Sequence, residues 1–296
     1  MTPSAISVSE LRGTRARHAG LVRSALRLWR TRIGVACALA VVAVAVIGPV
    51  LAPHGAGDFV ANPNTPPGGN ALFGSDYLGQ DVFSRFLLGG RAILILPFLS
   101  TLLGVALGVL VGLTAAYARD AFGDALMRVM DILLAIPQLI FALVAVAILG
   151  PEGWLIVLVV GLSTFPRVAR VVRGAAVPVV EQDFVAAAEA LGEPRSRILA
   201  MEILPNVTGP LIVEATLRLT YSIGTIASLA FLGFTPDPNA PNWGLMLQEN
   251  RLALLIQPWG VVLPAAAIVL LTIGTGLLGD GLARASAGID RQGVDA

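Results

Sequence analysis

The sequence predicts an all-α protein whose chain crosses a membrane six times, with both termini on the cytoplasmic side. Three observations support this fold class. Apolar residues make up 56% of the 296 residues and charged residues only 13%, about half the usual ~25%. The few charges are gathered between long apolar runs. The arginines beside these runs lie mostly on one side of the predicted membrane.

Six apolar runs are candidates for membrane spans, because about twenty residues of helix cross a hydrocarbon core of ~30 Å. Five of them contain no charge. The fourth run is short, so its helix must either include 150–151 or continue through the arginine-bearing stretch 167–173. The fifth run contains Glu214 and Arg218. In chain order the runs are 33–52, 92–118, 132–150, 154–166, 211–234 and 258–279.

The runs are predicted to be helices and not barrel strands. A backbone in lipid must satisfy its own hydrogen bonds, and a helix does so within one segment. Barrel strands would alternate between apolar and polar residues, whereas these runs are continuously apolar. The first run also exceeds the 7–15 residues of a signal-peptide core and follows a long basic segment. It is therefore predicted to be an uncleaved anchor.

Arginine positions orient the helices. With the N-terminus inside, sixteen of the 20 basic residues lie on the cytoplasmic side, three lie outside and Arg218 lies within a span. This asymmetry places both termini in the cytoplasm. The predicted layout begins with a cytoplasmic segment at 1–32, a first span at 33–52 and an outer segment at 53–91. A five-helix core at 92–282 follows, and a cytoplasmic tail at 283–296 ends the chain. The core includes a cytoplasmic loop at 167–205 and a second outer segment at 235–257.

Composition excludes several classes of function. All 20 basic residues are arginine, so the chain has neither a Schiff-base lysine nor a P-loop lysine. A single cysteine, Cys37, excludes a disulfide framework, and His18 and His54 are too far apart in sequence to form a metal-ligand pair. The net charge of +1 gives no general attraction to nucleic acid. An intramembrane enzyme would need clustered catalytic groups, and the spans supply only Glu214 and Arg218.

The cytoplasmic loop at 167–205 is the most informative segment. Residues 181–191 are good helix formers, and Gly192 follows at the position where a left-handed residue commonly ends a helix. Glu193 and Pro194 then start a second short helix, which Pro205 is expected to end. From the residues alone, this pair of helices is either a docking surface for a cytoplasmic partner or an ordinary connector.

The same loop resembles the EAA loop of ABC-importer permeases, whose pattern is E-A-A-x3-G-x9-I-x-L-P. Five residues match at the required spacing: Ala187, Ala188, Gly192, Leu204 and Pro205. Two positions depart from the pattern. Ala186 replaces the glutamate and Glu202 replaces the isoleucine, which removes any charge contact that the motif glutamate would make.

Four further segments resemble signatures of one subgroup. They are GSDYLGQDVFSR at 74–85, RVMDILLAIPQLIFAL at 128–143, NWGLML at 242–247 and GDGL at 279–282. The resemblance covers about residues 30–290. The chain is thereby identified as similar to the C-type permease subunits of dipeptide, oligopeptide and nickel ABC importers, the DppC/OppC type.

The resemblance implies a type I, MetI-like permease fold in a bacterial plasma membrane and half of a translocation pathway for peptides. It also implies a B-type permease partner, two cytoplasmic ATPases that bind ATP and Mg, and an extracytoplasmic binding protein, with no enzyme activity or cofactor in this chain. A nickel chelate, heme, another small solute, or export of peptides are alternatives. The coupling residues would be Asp183, Phe184, Ala186, Ala187, Ala188, Leu191 and Gly192.

Three further features have alternatives that stay open. Glu214 and Arg218 have the i, i+4 order of a helical ion pair. They either line the translocation path or neutralise each other at the subunit interface. The basic stretch at 11–30 is expected to be an amphipathic helix on anionic lipid, or else an ATPase contact. A third set on the outer side either forms a structural network or contacts the binding protein: Asp76, Asp81, Ser84, Arg85 and Trp243.

Overall fold

The computed structural model describes residues 24–69, 71–118 and 121–287. Within these residues the chain is mostly helical and contains no strands, which confirms the all-α fold class. The predicted surface helix at 11–30 and the predicted tail at 283–296 lie largely outside the described residues. In chain order the helices are α1 (Trp29–Leu51), α2 (Val82–Leu88), α3 (Gly90–Ala118), α4 (Ala121–Leu134), α5 (Gln138–Leu149), α6 (Gly153–Val180), α7 (Asp183–Ala190), α8 (Arg195–Arg197), α9 (Leu204–Phe231), α10 (Trp243–Asn250) and α11 (Trp259–Ala287).

Five of the described helices are long and apolar enough to cross a membrane, namely α1, α3, α6, α9 and α11. They correspond to the first, second, fourth, fifth and sixth predicted runs. The short fourth run is extended at its C-terminal end and does not include 150–151. Helix α6 is 28 residues long and continues through the arginine-bearing stretch 167–173 to Val180. The first part of the loop predicted at 167–205 is therefore helical as far as Val180.

The third run is not the single helix that the sequence predicts. It is divided between α4 and α5, which are bent by 77° at a short break, so together they form at most one broken span. Pro137 lies at the break. This residue has an extended ψ of 121° and lacks the N–H that a continuous helix would need.

Helices α3 and α6 form the centre of the bundle and pack closely along a line of small residues. Glycines recur every four residues on α3, at 104, 108 and 112. A Cβ atom added to Gly112 would lie 2.6 Å from the Ala169 carbonyl oxygen and 2.8 Å from the Val172 Cβ. Such close backbone approach strengthens helix packing in lipid, where there is little hydrophobic drive between helices. The α3–α6 pair is thus the most closely packed part of the bundle.

Candidate coupling and translocation sites

Helix α7 is a short helix in the loop predicted to be cytoplasmic, and it lies between the ends of α6 and α9. Val185 on its inner side is fully buried and belongs to an apolar cluster with Val180, Ile198 and Ile203. This cluster fixes α7 to both long helices. Val185 is not among the predicted coupling residues, although its spacing of three residues from the half-buried Ala188 indicates an apolar inner face.

The opposite face of α7 is available to a partner. Leu191 is 83% exposed and Phe184 is 41% exposed, and Ala187 between them is exposed as well. These residues follow one another at spacings of three and four, so they share one face of the helix. Ala186 is also exposed. An exposed apolar stripe on a helix that is anchored from behind has the geometry of a docking surface.

Gly192 ends α7 in the left-handed conformation that the sequence predicts, with φ of +76°. The Glu193 N–H donates to the Ala188 carbonyl oxygen at 3.1 Å, and the Gly192 N–H donates to the Glu189 carbonyl oxygen at 3.0 Å. This pattern caps the last carbonyls of the helix. Because the chain reverses here, Leu191 is presented at the tip of the cytoplasmic loop.

The predicted second short helix does not end at Pro205. The chain continues from α8 through a π-helical turn, Ile198–Ile203, directly into α9. Pro205 lies in the first turn of α9, where a missing N–H is tolerated. The cytoplasmic loop therefore contains one free-standing helix, α7, followed by the long continuous helical segment that becomes the fifth span.

Glu214 and Arg218 form the predicted ion pair on α9. The Arg218 Nε lies 2.9 Å from the Glu214 Oε1, and the two residues are only 5% and 6% exposed respectively. The Arg218 guanidinium also lies 4.9 Å from the centre of the Tyr221 ring, and that ring is half-exposed. Both charges are thus enclosed within this subunit, and Tyr221 stands between Arg218 and the surface.

The outer residues Asp76 and Arg85 form the centre of a buried polar network. One carboxylate oxygen of Asp76 accepts the backbone N–H groups of Leu78 at 2.9 Å and Gln80 at 2.8 Å. Its other oxygen is paired with Arg85. The Arg85 Nη2 lies 3.1 Å from the Glu249 Oε2 on α10. The network therefore ties the first outer segment to the second.

Glu249 completes this outer network and was not predicted from the sequence. Burial raises the pKa of Glu249, and the neighbouring Arg85 guanidinium opposes that rise. The Tyr77 hydroxyl donates to Glu249 at 3.2 Å, and burial followed by the Glu249 charge raises the pKa of Tyr77. No residue near Glu249 in sequence signals this partner, since Arg85 is more than 160 residues away.

Asp81 and Ser84 have a more local arrangement. The Asp81 carboxylate caps α2 by accepting the Ser84 N–H at 3.0 Å. The same carboxylate oxygen lies 3.3 Å from the ring Nδ1 of His54. The backbone N–H of His54 donates to the Ser84 hydroxyl at 3.0 Å. These contacts join the end of α1 to the start of α2.

Trp243 is buried inside the subunit. It therefore faces neither lipid nor a binding protein. It is fully buried, its indole N–H donates to the Phe86 carbonyl oxygen at 2.8 Å, and its ring stacks on Phe86 with centroids 5.4 Å apart. Tryptophan near a membrane boundary commonly faces lipid, but here the α2–α3 corner covers it. Of the predicted alternatives for Trp243, the structural one fits these contacts.

Comparison with known proteins places this arrangement in a family. Residues 104–287 match the family described as "Binding-protein-dependent transport system inner membrane component", which is more than half of the chain. The chain belongs to this family. It is a multi-pass membrane component of a transport system, and the predicted class of function is confirmed.

Individual relatives extend the similarity beyond the matched region. The permease is 36% identical over 259 residues to the di/tripeptide transport system permease protein DppC of Pseudomonas aeruginosa, with 84% of each chain covered. It is also 36% identical over 261 residues to the glutathione transport system permease protein GsiD of Escherichia coli, with 86% of each chain covered. GsiD of Shigella boydii gives the same values.

Proposed function

We propose that the chain is one of two permease subunits of an ATP-driven importer for short peptides. The observation that carries the proposal is its similarity to permeases for di/tripeptides and for glutathione, which is itself a modified tripeptide, over more than four-fifths of both chains. A binding protein on the outer side would deliver the peptide. A B-type permease would supply the other half of the pathway.

Two cytoplasmic ATPases would bind ATP and Mg and would contact the permease through α7. The anchored inner face and the exposed outer face of this helix support that role. A push on Leu191 or Phe184 would be passed through Val185 to the apolar cluster that joins α6 and α9. The two spans would then move together, which is the requirement for alternating access by rigid-body motion.

The proposed substrate class is tested by uptake in the host cell. The gene for this chain is deleted, and uptake of a labelled dipeptide, of labelled glutathione and of a labelled nickel chelate is compared with that of the parent strain. We expect loss of dipeptide or glutathione uptake and its return when the chain is supplied on a plasmid. Unchanged peptide uptake together with loss of nickel uptake would reject the peptide assignment.

A further inference from the structure

Two neighbouring spans, α1 and α11, pack closely in an antiparallel pair. A Cβ atom added to Gly34 would lie 2.8 Å from the Leu277 Cβ, and a Cβ atom added to Gly281 would lie against Thr31. The residue number therefore rises along α1 as it falls along α11. Because the helices touch at these points, residues at equal distances from them lie at the same level of the bundle.

This register fixes the level of the hydrocarbon core. Arg32 lies level with Asp280, and Leu51 at the end of α1 lies within one helical turn of the level of Trp259, where α11 begins. No charged residue occurs between these two levels on either helix. From Trp259 to Asp280 the helix rises roughly 32 Å at 1.5 Å per residue, which matches the ~30 Å core. Trp259 therefore marks the predicted outer boundary of the core.

A compact turn at 251–256, between α10 and α11, lies at this boundary. A Cβ atom added to Gly260 would lie 2.8 Å from the Asn250 Cγ, so the residue before the turn lies beside the first turn of α11. At the other end, the Gln257 N–H donates to the Ala253 carbonyl oxygen at 2.7 Å, and the Gln257 side chain is buried. Both ends of the turn are therefore held at the level where α11 begins.

The two sides of this turn differ in exposure. Ala253 faces inward and is buried, whereas Leu252, Leu255 and Ile256 face outward and are 88%, 99% and 67% exposed. Among the described residues, Leu255 and Leu252 are the two most exposed large apolar side chains. Bulky aliphatic side chains exposed together indicate a contact with another protein or with a membrane.

The level and the composition of the turn favour a membrane contact. The chain from 252 to 279 contains no charged residue. A surface that binds a partner transiently is about as polar as the rest of a protein surface, whereas the outward side of this turn is entirely aliphatic. At the same level on α1, Val50 and Leu51 are also mostly exposed. The exposed apolar surface at this boundary therefore extends beyond the turn.

We propose that this turn is a lipid anchor on the predicted outer side of the membrane. Leu252, Leu255 and Ile256 enter the boundary between the lipid headgroups and the acyl chains, where interfacial apolar side chains are buried. Arg251 at the start of the turn is exposed, and its long stem allows the guanidinium to stay at the level of the headgroups. The anchor fixes the level of α10, which carries one carboxylate of the buried outer network. The inference goes beyond the proposed function and holds for any transported solute.

The test is photo-cross-linking in membranes of the host cell, with the complete importer present. p-Benzoylphenylalanine replaces Leu255 in one variant and Leu252 in another. The matched control places the same residue at Leu191, a leucine that is also highly exposed but lies in the loop beyond the end of α6. After irradiation the chain is purified and its mass is measured. We expect a mass increase of one phospholipid at Leu255 and at Leu252, and none at Leu191.

Three results would overturn the inference. A cross-link from the turn to the B-type permease would show that the turn is a subunit interface. A cross-link to the binding protein would show that the turn is a docking site. A turn that gives no adduct, in a variant present in normal amounts, would show that it faces water. A protein adduct at Leu191 bears only on the coupling role of α7, so the outcome for the turn is independent of the proposed function.

Discussion

Replacing Gly192 with valine tests whether the shape of the cytoplasmic loop transmits force. Gly192 has a φ of +76°, a region in which a residue with a Cβ atom costs roughly 1–2 kcal/mol. Among the described residues, no heavy atom lies within 4 Å of the position of an added Cβ atom. The cost is therefore conformational and not steric. Since about 1.4 kcal/mol is a factor of ten, the equilibrium constant for the capped form of α7 should fall roughly five- to thirty-fold.

The assay for Gly192→Val separates insertion from coupling. Because the substitution lies in the cytoplasmic loop, we expect normal amounts of the variant in the membrane and normal recovery with the B-type permease. ATP-dependent peptide uptake should fall about tenfold, while the ATPases continue to hydrolyse ATP. Gly192→Asn is the matched control, because asparagine adopts positive φ more readily than other residues with a Cβ atom. It should retain most of the uptake. Unaltered uptake by Gly192→Val would refute the coupling role of α7.

Three further predictions follow from buried charges. Arg218→Leu should destabilise the permease by about 3–5 kcal/mol, because it leaves the buried Glu214 carboxylate unpaired. The double variant Glu214→Gln/Arg218→Leu should recover most of that stability and keep normal peptide uptake. Lost uptake in a well-folded double variant would place this ion pair on the translocation pathway. Asp81→Ala should lower stability by about 1 kcal/mol through loss of the α2 cap, measured as a reduced melting temperature in detergent. Burial raises the pKa of Glu249 in the folded protein, so the folded state binds this proton more tightly. Stability should therefore increase as the pH falls through the raised pKa toward the ordinary glutamate value of about 4.3. Glu249→Gln should reduce that dependence, and an identical pH profile in the variant would contradict the assignment.

The sequence predicts the features that depend on local chemistry. Uncharged runs of twenty residues or more identify three of the spans, α1, α3 and α11, because their length matches the hydrocarbon core. The left-handed stop at Gly192 and the i, i+4 ion pair of Glu214 and Arg218 are also local, and the structure contains both. The cytoplasmic position of the termini stays a prediction from arginine asymmetry.

The break at Pro137 could not be predicted with the same certainty, since proline alone does not decide where a span breaks. Pro97, Pro166 and Pro264 lie inside α3, α6 and α11, which remain continuous. Neighbouring helices and side chains can satisfy the freed backbone groups in a membrane bundle. Whether they do so depends on packing that is not encoded in the adjacent residues.

Burial is the second feature that local sequence does not fix. Trp243 is covered by the α2–α3 corner, and Glu249 is paired with an arginine from the first outer segment. Both contacts join segments more than 150 residues apart, as the separation between Trp243 and Phe86 shows. The outer surface is therefore a product of tertiary folding, while the coupling loop is largely a local structure.

The central claim is that this chain couples ATP hydrolysis to solute import through α7. The most direct test is a reconstituted importer in which hydrolysis and accumulation of a labelled dipeptide are measured in the same proteoliposomes, with and without the binding protein. We predict accumulation that requires both ATP and the binding protein, and a rate of hydrolysis that rises when the loaded binding protein is added. Failure of the ATPases to associate with the chain, or hydrolysis that never responds to the binding protein while no peptide accumulates, would contradict it.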